Sequence, residues 1–300
     1  MVQEFEKLFI LWTAPIYVVL ILGEIFISNY INVKNNTGFR NYTFLDTITN
    51  VYLMIANMGI DVLMRGISLF ALLFAFDQHL FDLKVYPVLY WISLFLLEDI
   101  IFYWIHRSEH KIRLFWAVHV THHSSEKFNL TTGFRSSVFQ PIYRFLWFIP
   151  LCFIGFHPFD IFIIFSITQT YGILLHTNLI DKLGFLEYFL VTPSHHRVHH
   201  ASNVEYLDKN MGMCLIIWDK LFGTFQAELA DVKPKFGLYE KTISAKPQET
   251  IFHEFSSIVK DLKRPLSFSE RLKYLFKPPG WSHDGSTKTS EELRSEILSK

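Results

Sequence analysis

The chain has 300 residues, of which 50% are hydrophobic, 17% aromatic and 19% charged, and its formal net charge is zero. This apolar content exceeds that of an ordinary soluble domain, and the balanced charge gives no indication of a nucleic-acid partner. The two cysteines, Cys152 and Cys214, are too few for a disulfide framework. The composition therefore favours a membrane protein over a nucleic-acid-binding or disulfide-stabilised one.

Five apolar segments predict helices at the membrane. The segments 8–28, 51–76 and 86–105 are long enough to cross about 30 Å of hydrocarbon. The segments 138–156 and 159–175 form a pair joined by a tight turn at His157-Pro158, and this pair either crosses fully or re-enters. Asp61 and Arg65 lie one helical turn apart in the second segment, so we expect them to pair.

The C-terminal part of the chain has a different pattern. Apolar residues recur at helical spacing between Ile251 and Leu262, which predicts an amphipathic helix for the membrane surface or for the protein's own core. Ser267 and Glu270 form a capping-box signature for a helix that ends near Phe276. From about residue 282 we expect a loose polar tail with a helix from Glu291.

Basic residues lie in the first loop and after the third apolar segment: Lys34, Arg40, Arg107, Lys111, Arg113, Lys127 and Arg135. The positive-inside rule places both regions in the cytoplasm. The predicted fold is an all-α integral membrane protein of four to five transmembrane helices, with a cytosolic histidine-rich helical cap holding a di-metal site. We divide it into an N-terminal transmembrane region (1–85), a catalytic core (86–226), and cytosolic amphipathic helices with a polar tail (227–300).

Histidines are concentrated in the middle of the chain. Of the 14 in the sequence, ten fall between residues 106 and 200. They are His106, His110, His119, His122, His123, His176, His195, His196, His199 and His200. Imidazole is the commonest metal ligand, and spacings of three and four place ligands on one helix face. So many imidazoles exceed the needs of one ion, so the sequence predicts two metals. On a helix, His195 would point about 100° away from His196.

Asp99 and Tyr103 share a helix face with His106 and His110, because the separations are four, three and four residues. A carboxylate within an apolar segment needs a partner. We predict that Asp99 orients a ligating imidazole, and the alternative is a structural pair with a distant arginine. Tyr103 is a candidate for the same supporting role, against simple packing at the membrane interface.

One local motif supports a different chemistry. The sequence from His106 to His110 reads His-x-x-Glu-His, the inverted zinc-peptidase motif. A peptidase needs one zinc and leaves eight histidines unexplained, so we expect Glu109 to be an exposed helix residue. A non-enzymatic metal-binding or transport protein is a further alternative. Transport predicts ionisable residues along several spans, whereas here they are concentrated at one end.

The three histidine motifs in this order, together with Asp99-x3-Tyr103-Trp104-x-His106-Arg107, resemble the fatty acid hydroxylase / sterol desaturase superfamily of integral-membrane di-iron enzymes. The segments 122–132, 192–200, 208–210 and 215–225 are more similar still to the alkylglycerol monooxygenase family. The resemblance covers roughly residues 90–240.

The resemblance implies two iron ions, dioxygen and an external electron donor, either tetrahydrobiopterin or a redox protein. It implies hydroxylation of a lipid C–H bond, and in the closer family cleavage of an alkylglycerol to a fatty aldehyde and a glycerol derivative. The alternatives within the superfamily are sterol, fatty acyl, carotenoid or aminolipid hydroxylases and desaturases. Five polar residues beside the histidine motifs are candidates for supporting the ligands or contacting a lipid headgroup: Asn129, Arg135, Asn203, Asp208 and Asn210.

Overall fold

The computed structural model describes residues 2–35, 41–243 and 246–298. Within these ranges the regular structure is helical, and β-pairing is limited to isolated bridges. The α-helices are α1 (Val2–Asn35), α2 (Phe44–Phe76), α3 (Pro87–Lys111), α4 (Arg113–His123), α5 (Pro141–Ile154), α6 (Pro158–Leu174), α7 (Pro193–His199), α8 (Ile217–Phe222), α9 (Pro247–Leu262), α10 (Phe268–Phe276) and α11 (Ser290–Leu298). The predicted all-α fold is confirmed.

Three helices are long and apolar enough to cross a membrane: they contain the spans Leu11–Lys34, Phe44–Phe76 and Pro87–Lys111. Most large apolar side chains of α1 and α2 are exposed, as expected for helices that face lipid. Asp61 and Arg65 pair as predicted, at 3.4 Å, and Arg144 adds a second contact to Asp61 at 3.0 Å. These ion pairs lower the cost of carrying a carboxylate in an apolar helix.

The helices α5 and α6 form the hairpin that the sequence predicts, but neither has the length of a full span. They contain 14 and 17 residues, which is about 21 Å and 25 Å at 1.5 Å per residue. Gly155 closes the turn with φ 126°, and a Cβ atom there would lie 2.2 Å from the carbonyl oxygen of Phe81. Among the described residues, three helices therefore have spanning length, and the hairpin of α5 and α6 is shorter.

The hairpin brings the chain back to the end of the bundle at which α3 finishes. At this end, the Arg135 guanidinium pairs with Asp46 near the start of α2 at 3.2 Å. At the opposite end, the Tyr90 hydroxyl donates to Asp160 at the start of α6 at 2.7 Å. Whether α5 and α6 cross or re-enter, the segments that follow α3 and α6 thus emerge together. An apolar core of α2, α3, α5 and α6 side chains fixes their relative positions.

The C-terminal helices α9 and α10 pack against α4. Arg113, at the start of α4, contacts Glu254 at 2.8 Å and Asp261 at 2.7 Å on α9. The capping box of Ser267 and Glu270 is present, and α10 ends at Phe276 as predicted. The segment from residue 282 is not the loose tail that we expected, because ion pairs hold it to the protein: Arg264 with Asp284 and Lys111 with Glu291.

Candidate metal centre

Nine of the ten predicted histidines converge into two groups at one end of the bundle. Each histidine contributes one ring nitrogen, and within each group these nitrogens all lie within 4.8 Å of one another. Group A consists of His106, His110, His119, His123 and His199, and group B consists of His122, His176, His196 and His200. All nine side chains are buried or nearly so. The structure therefore brings together imidazoles from α3, α4, α7 and the segment after α6.

Helix geometry explains how the histidines divide between the groups. On α4, His119 and His123 are four residues apart and share the face toward group A, whereas His122 turns toward group B. On α7, His199 belongs to group A and the next residue, His200, belongs to group B. Successive side chains are about 100° apart on a helix, so each His-His doublet separates. The groups adjoin, since the rings of His123 and His200 stack with centroids 4.4 Å apart.

The contacts of the rings in group A fit a bound cation. Nδ1 of His106 lies 2.8 Å from the carbonyl oxygen of Met211, so that nitrogen is the donor and Nε2 carries a lone pair. The Nε2 atom of His106 lies 3.1 Å from that of His119, which lies 3.1 Å from that of His123. Nδ1 of His119 forms a hydrogen bond with the Ser137 hydroxyl at 3.1 Å and lies 3.1 Å from a Glu109 carboxylate oxygen. The nearby carboxylate favours a proton on Nδ1 and therefore a lone pair on Nε2. Lone pairs that face each other repel unless a positive ion lies between them.

Group B has the same arrangement. Nδ1 of His176 donates to the carbonyl oxygen of Gly172 at 2.9 Å, and Nδ1 of His122 donates to that of Arg135 at 2.8 Å. The Nε2 atom of His176 lies 2.9 Å from that of His196 and 3.1 Å from that of His200. Backbone carbonyls thus fix the tautomer and turn Nε2 inward, as the outer partners of metal-bound histidines do.

Buried nitrogens without a partner give a second indication of metal binding. Nε2 of His110 and Nε2 of His199 are buried and have no hydrogen-bond partner among the described residues. Their Nδ1 atoms are held by the Asp208 carboxylate at 3.2 Å and by the carbonyl oxygen of Lys209 at 2.9 Å. A buried polar atom without a partner is costly, and a metal ion would satisfy both.

Burial keeps these imidazoles neutral. Desolvation is the largest cause that lowers the pKa of His119, His123, His176 and His200 well below the usual value, and neighbouring histidines add to it. For His122, burial lowers the pKa to about 4. Neutral imidazole is the form that binds a metal. The site is therefore ready for a cation near neutral pH.

The metal-free protein is expected to lose stability as the pH falls below about 6.5. The pKa of His122 is 6.5 in a solvated reference and about 4 in the fold, so the unfolded chain takes up the proton first. The stability is fully present above about pH 6.5 and is lost toward pH 4, by roughly 3 kcal/mol for this residue. Thermal unfolding of metal-stripped protein between about pH 7.5 and about pH 5 measures it. An unchanged midpoint over that interval would contradict the neutral-histidine cluster.

Glu109 is the residue whose position the sequence analysis predicted incorrectly. Its side chain is 1% exposed rather than on the surface, and it accepts hydrogen bonds from Gln140 at 2.8 Å and from the Tyr143 hydroxyl at 2.5 Å. Its other oxygen faces Nδ1 of His119 at 3.1 Å. Glu109 is thus the carboxylate beside His119, whose Nδ1 also bonds the Ser137 hydroxyl. It lies behind the ring rather than in front of a metal pocket, where a peptidase base would stand.

We predicted that Asp99 orients an imidazole, but in the described part of the chain it bonds a loop instead. Its carboxylate is fully buried and accepts hydrogen bonds from the backbone nitrogens of Cys214 and Leu215, at 2.9 and 3.1 Å, and from the indole of Trp218 at 2.8 Å. The alternative, a structural pair with a distant arginine, is also not what forms. Asp99 instead holds the loop whose Met211 carbonyl receives His106.

Tyr103 supports the same loop from the next turn of α3. Its hydroxyl lies 2.9 Å from the Thr224 hydroxyl and accepts a hydrogen bond from Arg107 at 2.9 Å. Thr224 in turn donates to Asp219 at 2.6 Å, and Asp219 accepts from the backbone nitrogen of Met211 at 2.7 Å. Tyr103 is therefore fully buried, and its hydroxyl acts on the Met211 loop.

The five polar candidates separate into three that support the histidines and two that do not. Asp208 accepts from His110, Arg135 offers its carbonyl to His122, and Asn210 ties the backbone of His195 to that of Gln226. Asp208 and Asn210 have positive φ values of 53° and 54°, which suit these residue types and point the Lys209 carbonyl between them at His199. Asn129 bonds its own turn and residue 41, and Asn203 bonds the loop 233–235.

His195 lies outside both groups. Its Nδ1 atom accepts a hydrogen bond from the backbone nitrogen of Thr192 at 3.3 Å, and the Thr192 hydroxyl accepts from the backbone of His195 at 3.5 Å. This is a capping box at the start of α7, with Pro193 in the first turn. The separation of about 100° from His196 was the sequence signal for this different role.

Replacing His195 with alanine is expected to leave the metal content of the protein unchanged and to lower the free energy of unfolding by about 1 kcal/mol, the usual cost of losing a helix cap. The ring contributes its Nδ1 to the Thr192 backbone and packs against Phe225 at 5.6 Å. Metal analysis and thermal unfolding of the His195→Ala protein measure the two effects. His196→Ala is the matched comparison, and loss of metal in both variants would contradict the capping role.

A cavity of about 460 Å³ lies on the outer side of the two groups. Its inner wall includes His110 and His123 together with Trp116, and its outer wall includes Tyr274 and Trp281 of the C-terminal region. Serine, threonine and charged side chains line much of the remainder. The cavity thus leads from the C-terminal helices to the histidines of both groups.

Residues 91–224 match a protein-family model described as fatty acid hydroxylase, and this range contains all nine clustered histidines. The chain thus contains a fatty acid hydroxylase domain. It is 34% identical over 270 residues to alkylglycerol monooxygenase from Homo sapiens, covering 89% of this chain and 59% of that protein. No solved structure matches the chain.

Two further relatives extend the comparison. The alkylglycerol monooxygenase of Xenopus tropicalis is 37% identical over 223 residues, covering 74% of this chain and 49% of that protein. The ornithine lipid hydroxylase of Rhizobium tropici is 33% identical over 125 residues, covering 41% of this chain and 38% of that protein. The chain thus spans about half to three fifths of the alkylglycerol monooxygenases that it matches.

Proposed function

We propose that this protein, which contains a fatty acid hydroxylase domain, is a membrane-bound di-iron monooxygenase that uses dioxygen to hydroxylate a C–H bond of a lipid. The observation that carries the proposal is the pair of adjoining all-histidine groups, with five and four members. Five donors in group A exceed the four of a tetrahedral zinc site, and imidazole suits iron. The relatives that match are named for oxidation of lipids.

When bound, two irons would supply the chemistry that activates dioxygen and oxidises the lipid carbon. The protein supplies fixed ligand geometry. Asp208 holds Nδ1 of His110, the Ser137 hydroxyl holds Nδ1 of His119 beside the Glu109 carboxylate, and backbone carbonyls hold the rings of other members. The balanced reaction takes a lipid C–H bond, one O2, two electrons and two protons, and yields a hydroxylated lipid and one water. A donor of two electrons is therefore required.

An alkylglycerol is the substrate that we favour. The similarity to alkylglycerol monooxygenases extends over 89% of this chain in the human case. Hydroxylation of the ether-linked carbon gives a hemiacetal, which separates into a fatty aldehyde and a glycerol derivative. The shared region with the ornithine lipid hydroxylase makes hydroxylation of an aminolipid the second candidate. In either case the lipid chain would reach the histidines from the bilayer, next to the ends of α3 and α6.

We infer that the electron donor reaches the histidines through the cavity beside them. A volume of about 460 Å³ is within the range of small-molecule and cofactor sites and is too small for a redox protein. Trp116 and Tyr274 on its walls offer aromatic surface to a planar donor such as tetrahydrobiopterin. The basic residues near this end favour a cytoplasmic location by the positive-inside rule, and such a donor is available there.

Anaerobic purification in lipid nanodiscs, elemental analysis and an activity assay test the function together. We expect two irons per chain, and oxygen-dependent release of fatty aldehyde from a labelled alkylglycerol when tetrahydrobiopterin is added. Omission of the pterin is the internal control. Two irons with turnover of ornithine lipids instead would favour the second candidate. One zinc per chain, with no lipid oxidised, would remove the oxygenase proposal.

A further inference from the structure

Glu24 is a buried carboxylate in an otherwise lipid-facing helix. It lies within the span Leu11–Lys34 of α1 and is 4% exposed, although its neighbours Leu22 and Phe26 are 61% and 73% exposed. A charged group inside an apolar span is costly unless it has partners, and it marks a functional position by default. The question is therefore which groups it contacts.

All three partners of Glu24 belong to other segments. One oxygen accepts a hydrogen bond from the Thr177 hydroxyl at 2.6 Å. The other accepts from the backbone nitrogen of Leu130 at 2.8 Å and from the Tyr42 hydroxyl. Thr177 directly follows His176, and Leu130 lies in the loop that follows the His122-His123 doublet. The first membrane helix is thus bonded to two segments that carry histidines.

Thr177 extends this connection to the third segment of group B. Its carbonyl oxygen accepts a hydrogen bond from Nη1 of Arg197 at 3.1 Å, and Arg197 directly follows His196 on α7. Arg197 is 7% exposed and also binds Glu228 at 2.8 Å, so its position is fixed. Group B draws its ligand candidates from α4, the segment after α6, and α7. Glu24 therefore contacts, directly or through Thr177, all three of the regions that supply group B.

Group A is held by different residues. His106 and His110 come from α3, and their Nδ1 atoms bond the Met211 carbonyl and the Asp208 carboxylate. Nδ1 of His119 bonds the Ser137 hydroxyl and lies 3.1 Å from the Glu109 carboxylate. Within the described part of the chain, Glu24 bonds Tyr42, Leu130 and Thr177, and these residues lie outside α3 and outside the loop that carries Met211. The two groups thus have separate sets of supporting carboxylates, with Glu24 on the side of group B.

We propose that Glu24 is a positioning residue for group B: the first membrane helix fixes the segment after His176, and this fixes the metal affinity of that group alone. The proposal rests on the proposed two-metal function. Loss of the carboxylate would free the Thr177 hydroxyl and the Leu130 amide, so the His176 ring would no longer be held in place. A carboxylate that only packs α1 onto the bundle would affect both groups equally or neither.

The test compares iron binding by the full chain and its variants in nanodiscs. Glu24→Gln keeps the size of the side chain but replaces one acceptor oxygen by a donor. We expect the iron of group B to bind about 10–100-fold less tightly, which is the range seen when a residue that supports a metal ligand is lost. Under competition with a chelator the variant then retains about one iron per chain, and the spectroscopic signature of a coupled iron pair gives way to that of an isolated iron.

Two further variants separate positioning from general damage. Thr177→Val removes the same contact from the other side, so it should reproduce the loss, and the double variant should be no worse than either single one. Asp160→Asn is the matched control, because Asp160 also accepts from a tyrosine hydroxyl, that of Tyr90, but lies at the opposite end of the bundle. It should retain both irons.

The outcomes distinguish failure of this proposal from failure of the two-metal function on which it rests. Glu24→Gln protein that keeps both irons with unchanged affinity overturns the positioning role, and so does parallel loss of both irons while Thr177→Val binds normally. If Glu24→Gln does not fold, Thr177→Val alone decides: retention of both irons overturns the proposal, and selective loss of one supports it. Unmodified protein that binds fewer than two irons instead refutes the two-metal function itself.

Discussion

Replacing His106 or His176 with alanine is expected to abolish lipid oxidation and to lower the iron content from two ions per chain to one. His106 belongs to group A and His176 to group B, so each change removes one ligand candidate from a different group. We expect the loss of activity to exceed the roughly 10–100-fold cost of losing an outer partner of a ligand. Elemental analysis and the aldehyde-release assay on each purified variant measure the two effects.

The two irons are expected to act as a unit, so the losses should not add. A protein with both His106→Ala and His176→Ala should be no less active than the worse single variant, because residues that act together show strongly non-additive effects. His79→Ala is the control, since His79 is an exposed residue just beyond α2 and belongs to neither group. Activity retained in either single variant would show that one group suffices.

Spacing on the helices predicts much of this site. The pairs at i and i+4, such as His106 with His110, share a face, and the structure places both in group A. The doublets hold a further signal that the sequence analysis did not use. Neighbours on a helix point about 100° apart, so the doublets His122-His123 and His199-His200 have to face two places. The division into two groups follows from local geometry.

The partners of the imidazoles were not predictable in the same way. Asp99 was expected to orient a histidine because it shares a helix face with His106, yet its oxygens lie 2.9–3.1 Å from backbone nitrogens of residues 214 and 215. The Nδ1 atoms bond to carbonyl oxygens such as that of Met211, which is 105 residues away from His106 in the chain. Every residue has a carbonyl, so no residue type marks such a partner.

The membrane segments were predictable to the extent that length and hydropathy decide them. The three long apolar segments form helices of spanning length, and the third continues into the first histidine motif as expected. The pair joined by His157-Pro158 reads as equally apolar, and only the helix ends at Ile154 and Leu174 reveal that it is short. Helix ends depend on tertiary contacts, here the approach of Gly155 to Phe81.

Replacing Glu109 with glutamine is expected to weaken the metal affinity of group A by about 10–100-fold. The carboxylate accepts from Gln140, from Tyr143 and, on its other oxygen, faces Nδ1 of His119 at 3.1 Å. Glutamine has one acceptor oxygen, so its amide nitrogen would face at least one of these donors. If it faces His119, the ring must place its proton on Nε2, and that nitrogen can then no longer bind a metal.

Glu98 offers a matched control on the same helix. It is also fully buried, but it accepts a hydrogen bond from the Thr168 hydroxyl at 3.3 Å and does not face a histidine as Glu109 does. Glu98→Gln should therefore leave the affinity for both irons unchanged, whereas Glu109→Gln should lose the iron of group A first under competition with a chelator. Equal losses in the two variants would mean that these buried carboxylates of α3 affect metal binding through folding and not through a particular histidine. A selective loss in Glu109→Gln would assign to Glu109 the role in orienting a histidine that the sequence predicted for Asp99, which also lies on α3.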